Sequence, residues 1–300
     1  MSPVRSRFGA VAWFAAAAIA AAVPIARAQD ASAPTSDTAD SDEDLASPER
    51  SDLGGPSPGV NGVPKLTFGN WFSPKYNGER NRQGDSVVTR GYFPWRLYDV
   101  DQLTRISIPY TLGSPGKSRG GETATEEEDF PVGPSGLDDI ELYNLALFKR
   151  PWATFSFGPA FSFPTGAKSG LGKKVWTVGP AFGINKRWGD WKIGAFSQNF
   201  FAFAGTPGGD QVSRTKLQPI IGWTISDRWS VGTSDMNFTY DWTKGRFVNI
   251  PVGGQIGKNF KFAERNMKIS VQAERNFATA PGSSAWTFRL TWEILLPNLY

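Results

Sequence analysis

Read with the two-residue period of a β-strand, eleven charged side chains fall opposite apolar faces: Arg90, Arg105, Asp139, Glu141, Lys216, Asp235, Asp241, Lys268, Glu274, Arg289 and Glu293. Mixed charge on one face of such strands has two uses. It lines a polar passage and biases which ions enter, or it fills an interior as a salt-bridge network. Covalent chemistry is poorly supplied. With Cys 0 and His 0, thiol nucleophiles, disulfides, Ser-His-Asp triads, His- or Cys-ligated zinc and the usual general base are all excluded. Carboxylate or lysine catalysis stays open on composition alone; the expectation is nevertheless no enzyme, no catalytic residue, no metal site and no cofactor. Two weaker patterns lead to the same place. Gly253-Gly254-Gln255-Ile256-Gly257-Lys258 is one residue short of a phosphate loop, has Asn259 where Ser or Thr is needed, and sits in a strand. The run Glu126-Glu127-Glu128-Asp129 has the oxygen ligands of a divalent-cation site, but in a surface loop it reads as a solvated charge run.

The elements that must carry these charges are strands. Between Ser284 and Leu296, Trp286, Phe288, Leu290, Trp292, Ile294 and Leu296 alternate with Thr287, Arg289, Thr291, Glu293 and Leu295. Two Trp and a Phe on one face fit a strand that turns that face to lipid. The same alternation runs through Phe155–Phe163, Trp176–Ile184 and Met267–Ala273. In Met236–Trp242 it is out of phase with Trp229 and Val231, which predicts a bulge near Thr233–Ser234. The segment from Trp191 is apolar on both faces and has no readable phase. Twelve strands follow, near 66–77, 85–97, 101–112, 138–149, 152–165, 174–187, 191–204, 212–226, 229–242, 246–262, 266–277 and 284–296. Each is about the 9–11 residues or more that cross a bilayer at a tilt. Short turns alternate with mostly longer Gly-rich or charged loops, as in outer-membrane barrels. The prediction is an all-β, up-and-down antiparallel transmembrane barrel over 65–300. An arginine or lysine facing lipid at midplane costs about 2–4 kcal/mol, so the charged set belongs inside.

Two segments precede it. Residues 1–28 have the form of a cleaved signal peptide: Arg5 and Arg7, an apolar core from Val11 to Ile25, then Ala26-Arg27-Ala28. Residues 29–64 hold eight acids and only Arg50 among Ser, Ala, Pro and Thr, and are predicted to be a disordered acidic leader. The whole chain is formally +4; removing these segments leaves 28 basic against 20 acidic residues, or +8 for the barrel. That charge is scattered, so no nucleic-acid partner is expected. It biases a pore towards anions.

The chain also resembles a known family. Phe157-Gly158-Pro159-Ala160, Phe163-Pro164-Thr165-Gly166, Gly170-Leu171-Gly172 and Trp176-Thr177-Val178-Gly179-Pro180 carry the resemblance. Phe203-Ala204-Gly205, Leu217-Gln218-Pro219, Thr239-Tyr240-Asp241-Trp242, Ile250-Pro251-Val252-Gly253-Gly254 and Phe288-Arg289-Leu290 extend it over about 65–297. In order and spacing these are similar to the MetA-pathway of phenol degradation family of bacterial outer-membrane proteins. The acidic leader, the acidic loop 113–137 and the ending beyond Pro297 depart from it. The resemblance implies a Gram-negative outer-membrane barrel with a transport role for hydrophobic or aromatic compounds, and no agreed catalytic residues. The expectation is therefore a porin-like channel or transporter for passive passage of a small-molecule solute, delivered to the outer membrane by its assembly machinery and surrounded by lipid. The alternative is a closed structural or surface-binding barrel; a barrel lipase or protease is a third reading, which the absent histidine weakens.

Overall fold

The computed structural model describes residues 63–78, 83–113, 134–166, 171–205, 211–263, 265–280 and 282–296. The predicted signal peptide, nearly all of the acidic leader, the acidic run Glu126–Asp129 and the ending beyond Leu296 lie outside them. All described secondary structure is strand: β1 (Lys65–Tyr76), β2 (Gly84–Leu97), β3 (Val100–Gly113), β4 (Gly136–Leu137), β5 (Ile140–Lys149), β6 (Thr154–Phe163), β7 (Val175–Trp188), β8 (Trp191–Gly205), β9 (Ser213–Thr224), β10 (Trp229–Thr233), β11 (Phe238–Asp241), β12 (Arg246–Asn249), β13 (Pro251–Phe262), β14 (Arg265–Asn276) and β15 (Ser284–Leu295).

These fifteen segments make twelve antiparallel staves. β4 and β5 both pair with β3, β10 and β11 both pair with β9, and β12 and β13 continue one another alongside them. The ring closes where β1 meets β15, from Lys65↔Leu295 to Phe72↔Phe288. Closure removes the unpaired edges that lipid does not tolerate. The predicted bulge lies between β10 and β11. From Gly232 to Phe238 that stave advances six residues while β9 retreats five, from Gly222 to Leu217. One extra residue reverses the facing of everything beyond it. Ser234, Asp235 and Met236 are all buried there, so Met236, expected on the outer face, is drawn inside by the irregularity.

Elsewhere the two faces separate as the alternation predicts. Trp286, Phe288, Leu290 and Trp292 are exposed on β15 while Arg289 and Thr291 are buried. The unphased β8 resolves in the same way: Lys192, Phe196, Gln198 and Phe200 point in, Trp191, Ile193 and Phe201 point out. Among the described residues ten Trp are exposed, with Trp95, Trp188, Trp191, Trp223 and Trp229 ringing the short-turn end and Trp176, Trp242 and Trp286 the long-loop end. So much exposed aromatic surface suits two membrane–water interfaces and no aqueous monomer. Among the described residues, Trp71 is the tryptophan turned into the lumen.

Replacing Leu290 by Arg places a charge against lipid near the middle of β15. It should cost about 2–4 kcal/mol and deplete the heat-modifiable, folded form on gels of outer-membrane fractions. Thr239→Arg, which points into the lumen where there is open space, should assemble as the parent does. Equal assembly of the two variants would show that the faces are wrongly assigned.

Candidate functional site

Inward positions of the staves are not filled evenly. In the half nearer the long loops they leave a cavity of about 400 Å³, lined by side chains that include Trp71, Arg105, Ser107, Gln198, Phe200 and Asn237. Its charged lining comprises six basic groups (Arg90, Arg105, Lys173, Arg214, Lys216 and Arg289) against four acids, Asp138, Asp139, Glu141 and Asp235.

Several charges pair across the lumen, not along the wall. Arg90 on β2 reaches Asp235 at 2.8 Å, with β1, β15, β14 and the β12–β13 stave between them round the ring. The bulge makes this possible by turning Asp235 inward, and the Asp235 backbone N–H donates to Gln272 Oε1 at 3.0 Å. Lys216 on β9 meets Glu141 on β5 at 2.5 Å, with β6, β7 and β8 between. Arg289 grips Glu274 with both guanidinium nitrogens. Trp71 lies between two cations, with Arg90 5.1 Å and Arg289 4.7 Å from its ring centroid. Arg214 donates to Asp241 at 3.1 Å at the upper rim, where Thr243 and the Lys244 N–H also bind that carboxylate.

At the long-loop end the residues just before β5 bind the two ends of the β6–β7 connection. Asp138 accepts the Gly172 N–H at 2.7 Å, and Asp139 accepts those of Gly166 and Lys173 at 3.2 and 2.6 Å. Gly172 has φ +65°, and a Cβ there would run into the Asp139 carboxylate, so this latch needs glycine. Burial pushes the Asp139 carboxyl above its ordinary value, which the Lys173 and Gly166 N–H donors only partly offset.

Below the cavity the lumen is packed. Tyr92, Leu103, Tyr143, Leu145, Leu147, Phe196 and Ile220 form one buried cluster, with Tyr143 and Leu145 at 0% exposure. The Tyr143 and Phe196 rings meet at 5.2 Å between centroids. Gly183 opposite leaves room for this, since a Cβ there would stand 3.2 Å from a Phe196 ring carbon. On the other wall Lys65, Lys268 and Glu293 fill the space, with Lys65 and Glu293 3.2 Å apart and Lys268 3.9 Å from Glu293.

The predicted residues thus divide. Arg90, Arg105, Asp139, Glu141, Lys216, Asp235 and Arg289 surround the cavity, and Glu274 and Arg289 also border a second space of about 260 Å³. Asp241 sits at the rim, while Lys268 and Glu293 lie in the packed half. Sequence reasoning missed Arg214, Lys65 and Trp71. Two of these had a signal, since Arg214 shares the phase of Lys216 on β9 and Lys65 that of Thr67 on β1. Trp71 had none, because an aromatic residue in a barrel strand reads as lipid-facing.

No family model matches this chain, and no curated protein sequence matches it. Solved structures do. An outer membrane channel from Pseudomonas putida has a TM-score of 0.55 at 12% identity, covering 78% of this chain and 96% of that one. Outer membrane phospholipase A from Escherichia coli gives 0.41 at 10%, covering 79% and 94%, and a mutant Rh. blastica porin 0.29 at 10%, covering 78% and 99%. The first of these likenesses establishes the fold as that of outer-membrane barrels. The expectation of no enzyme needs correction, because one barrel among those similar to this chain is a phospholipase. Missing histidine and cysteine narrow the possible chemistry without removing enzymes as a class.

The cross-lumen pairs have a measurable consequence. Asp235→Ala leaves the Arg90 guanidinium buried beside Arg289 without its counter-charge and should cost about 3–5 kcal/mol, read by urea unfolding in lipid vesicles. Arg90→Met combined with Asp235→Leu removes both charges and should recover most of that loss. A double variant as unstable as Asp235→Ala would mean that the pair is not the cause.

Proposed function

We propose that this protein is an outer-membrane channel through which small solutes pass passively, hydrophobic or aromatic compounds being the class that the family resemblance implies. The observation that carries this reading is the charged cavity held within a closed, lipid-faced barrel and reached from the long-loop end. In outer-membrane barrels the longer loops lie outside the cell, so the cavity would load from the exterior. Trp71, Val88, Phe200 and Val212 offer apolar contact, and Arg105, which has no carboxylate beside it, favours anionic or polarised solutes. In this reading residues 1–28 are the export signal, the assembly machinery inserts the barrel, and the acidic leader stays in the periplasm.

The packed cluster beneath the cavity favours a second reading, a closed barrel that binds at its outer mouth and does not transport. The two differ in what that cluster does. In a channel, Phe196 and Leu145 are a hydrophobic constriction that opens by rotamer and stave movement, and a constriction of that kind gates by dewetting. In a closed barrel they are simply core.

Conductance of refolded protein in a planar bilayer separates them. The channel reading expects discrete openings, and expects them to become larger or more frequent in Leu145→Ala/Phe196→Ala. Replacing Arg214 and Lys216 by Gln should move the reversal potential towards cation preference, most clearly at low salt, where screening is weak. Folded protein that never conducts, with or without the two alanines, would establish the closed barrel instead.

A further inference from the structure

We infer that the floor of the cavity is a binding site for a small organic carboxylate, its anionic end on Arg105 and its apolar body against Trp71 and Phe200. This deepens the channel reading, on which it rests for the ligand's route but not for its binding.

Among the described residues, four of the cations around the cavity have a carboxylate partner. Arg90 is paired with Asp235, Arg289 with Glu274, Lys216 with Glu141 and Arg214 with Asp241. Arg105 is 4% exposed and has no carboxylate within ion-pair distance. Its guanidinium lies 4.2 Å from the Tyr143 ring centroid, and its Nε has no hydrogen-bond partner. A stacked aromatic face compensates a cation only in part, and a guanidinium this deeply placed is best served by an anion or several acceptors. Arg105 also lines the cavity, so the missing anion has a space to occupy.

A second observation points the same way. Thr177 and Gln198 line the same cavity, and Thr177 Oγ1 and Gln198 Nε2 have no hydrogen-bond partner. Buried polar groups are normally paired. Two unpartnered groups on residues that line the cavity with Arg105 leave hydrogen-bonding capacity that an entering ligand meets once those side chains turn towards it. The Arg105 guanidinium, the Gln198 amide and the Thr177 hydroxyl are all donors, which suits an oxygen-rich group.

The ligand class follows from size and lining. A cavity of about 400 Å³ is at the small end of ligand pockets and takes a single ring with one substituent. Glu274 and Asp241 neutralise Arg289 and Arg214, so the lining as a whole is near balance and the anion preference rests on Arg105, which has no carboxylate beside it. A neutral apolar molecule would leave Arg105 as unsatisfied as before, and an inorganic anion would make no use of the apolar surface of Val88, Val212 and Phe200.

Isothermal titration calorimetry of refolded protein in micelles tests this with benzoate and its neutral isostere benzamide. Benzoate should bind, and benzamide should bind about tenfold or more weakly, as expected for loss of a charge-assisted hydrogen bond. Arg105→Gln should weaken benzoate by a similar factor and leave benzamide unchanged. Equal binding of the two ligands, an Arg105→Gln variant that binds benzoate like the parent, or displacement of benzoate by equimolar chloride would each overturn the site. If Arg105→Gln does not fold, judged by heat-modifiable migration, the comparison of the two ligands on the parent protein still decides. Bilayer conductance without benzoate binding would overturn this site and leave the channel; benzoate binding without conductance would do the reverse.

Discussion

The interior of this barrel depends on one ion pair that reaches across it. Arg90 and Asp235 stand on nearly opposite walls, and they meet only because one extra residue between β10 and β11 turns Asp235 inward. Without that bulge the two-residue period would carry the carboxylate to the lipid face, and the guanidinium would lose its counter-charge in a poorly solvated lumen. Neighbouring groups then take their places around the pair. Gln272 accepts the Asp235 N–H, Trp71 is held between Arg90 and Arg289, and Arg289 is fixed in turn by Glu274. The pair helps form the floor of the open half of the lumen, with the packed cluster beneath.

This division follows from opposed demands on a twelve-stave barrel. Such a ring is wider than the roughly eight strands whose side chains just fill the interior, so it either holds water or closes the gap with bulk. Here it does both, at different heights. Tyr92, Leu103, Tyr143, Leu145, Phe196 and Ile220 converge in one half. Shorter and charged residues such as Ser107, Ser162 and Lys216 line the other. Movement through the lumen has to separate contacts such as that between Tyr143 and Phe196, while the lipid-facing aromatic girdles hold the barrel in place. Ion pairs of this kind are worth little as net stability and more as a fixed arrangement of charge. That arrangement is what any entering solute meets first.

Much of the wall was legible in the sequence because lipid imposes a strict rule on every second residue. Trp286, Phe288 and Leu290 on β15, and Ile269 and Val271 on β14, declare the outer face, and Arg289, Gln272 and Glu274 must then point inward. The bulge was legible too, as a clash of phase between Trp229 and Tyr240. What lay beyond reach was the arrangement inside. β8 gave no phase because Phe196 and Phe200 pack the lumen while Phe201 and Phe203 meet lipid, and periodicity cannot tell one apolar environment from another. The partner of each lumen charge depends on which staves face each other across the ring, and this is set by closure and not by local pattern. Glu141 and Lys216 are 75 residues apart and meet over three intervening staves. Trp71 was hidden for a related reason, since its partners are two cations on different strands.

The central claim is that the lumen is open from one end only, down to the level of Arg90 and Asp235. Because the chain has no cysteine of its own, single cysteines report on it directly. Intact cells carrying Ser162→Cys, in the cavity wall, or Ile220→Cys, in the packed cluster, would be exposed to a membrane-impermeant maleimide and the labelled fraction followed with time. The account predicts fast labelling of Ser162→Cys and far slower labelling of Ile220→Cys. Labelling of both at similar rates would mean a continuous open pore. Labelling of Ile220→Cys alone would mean that the cavity opens at the other end.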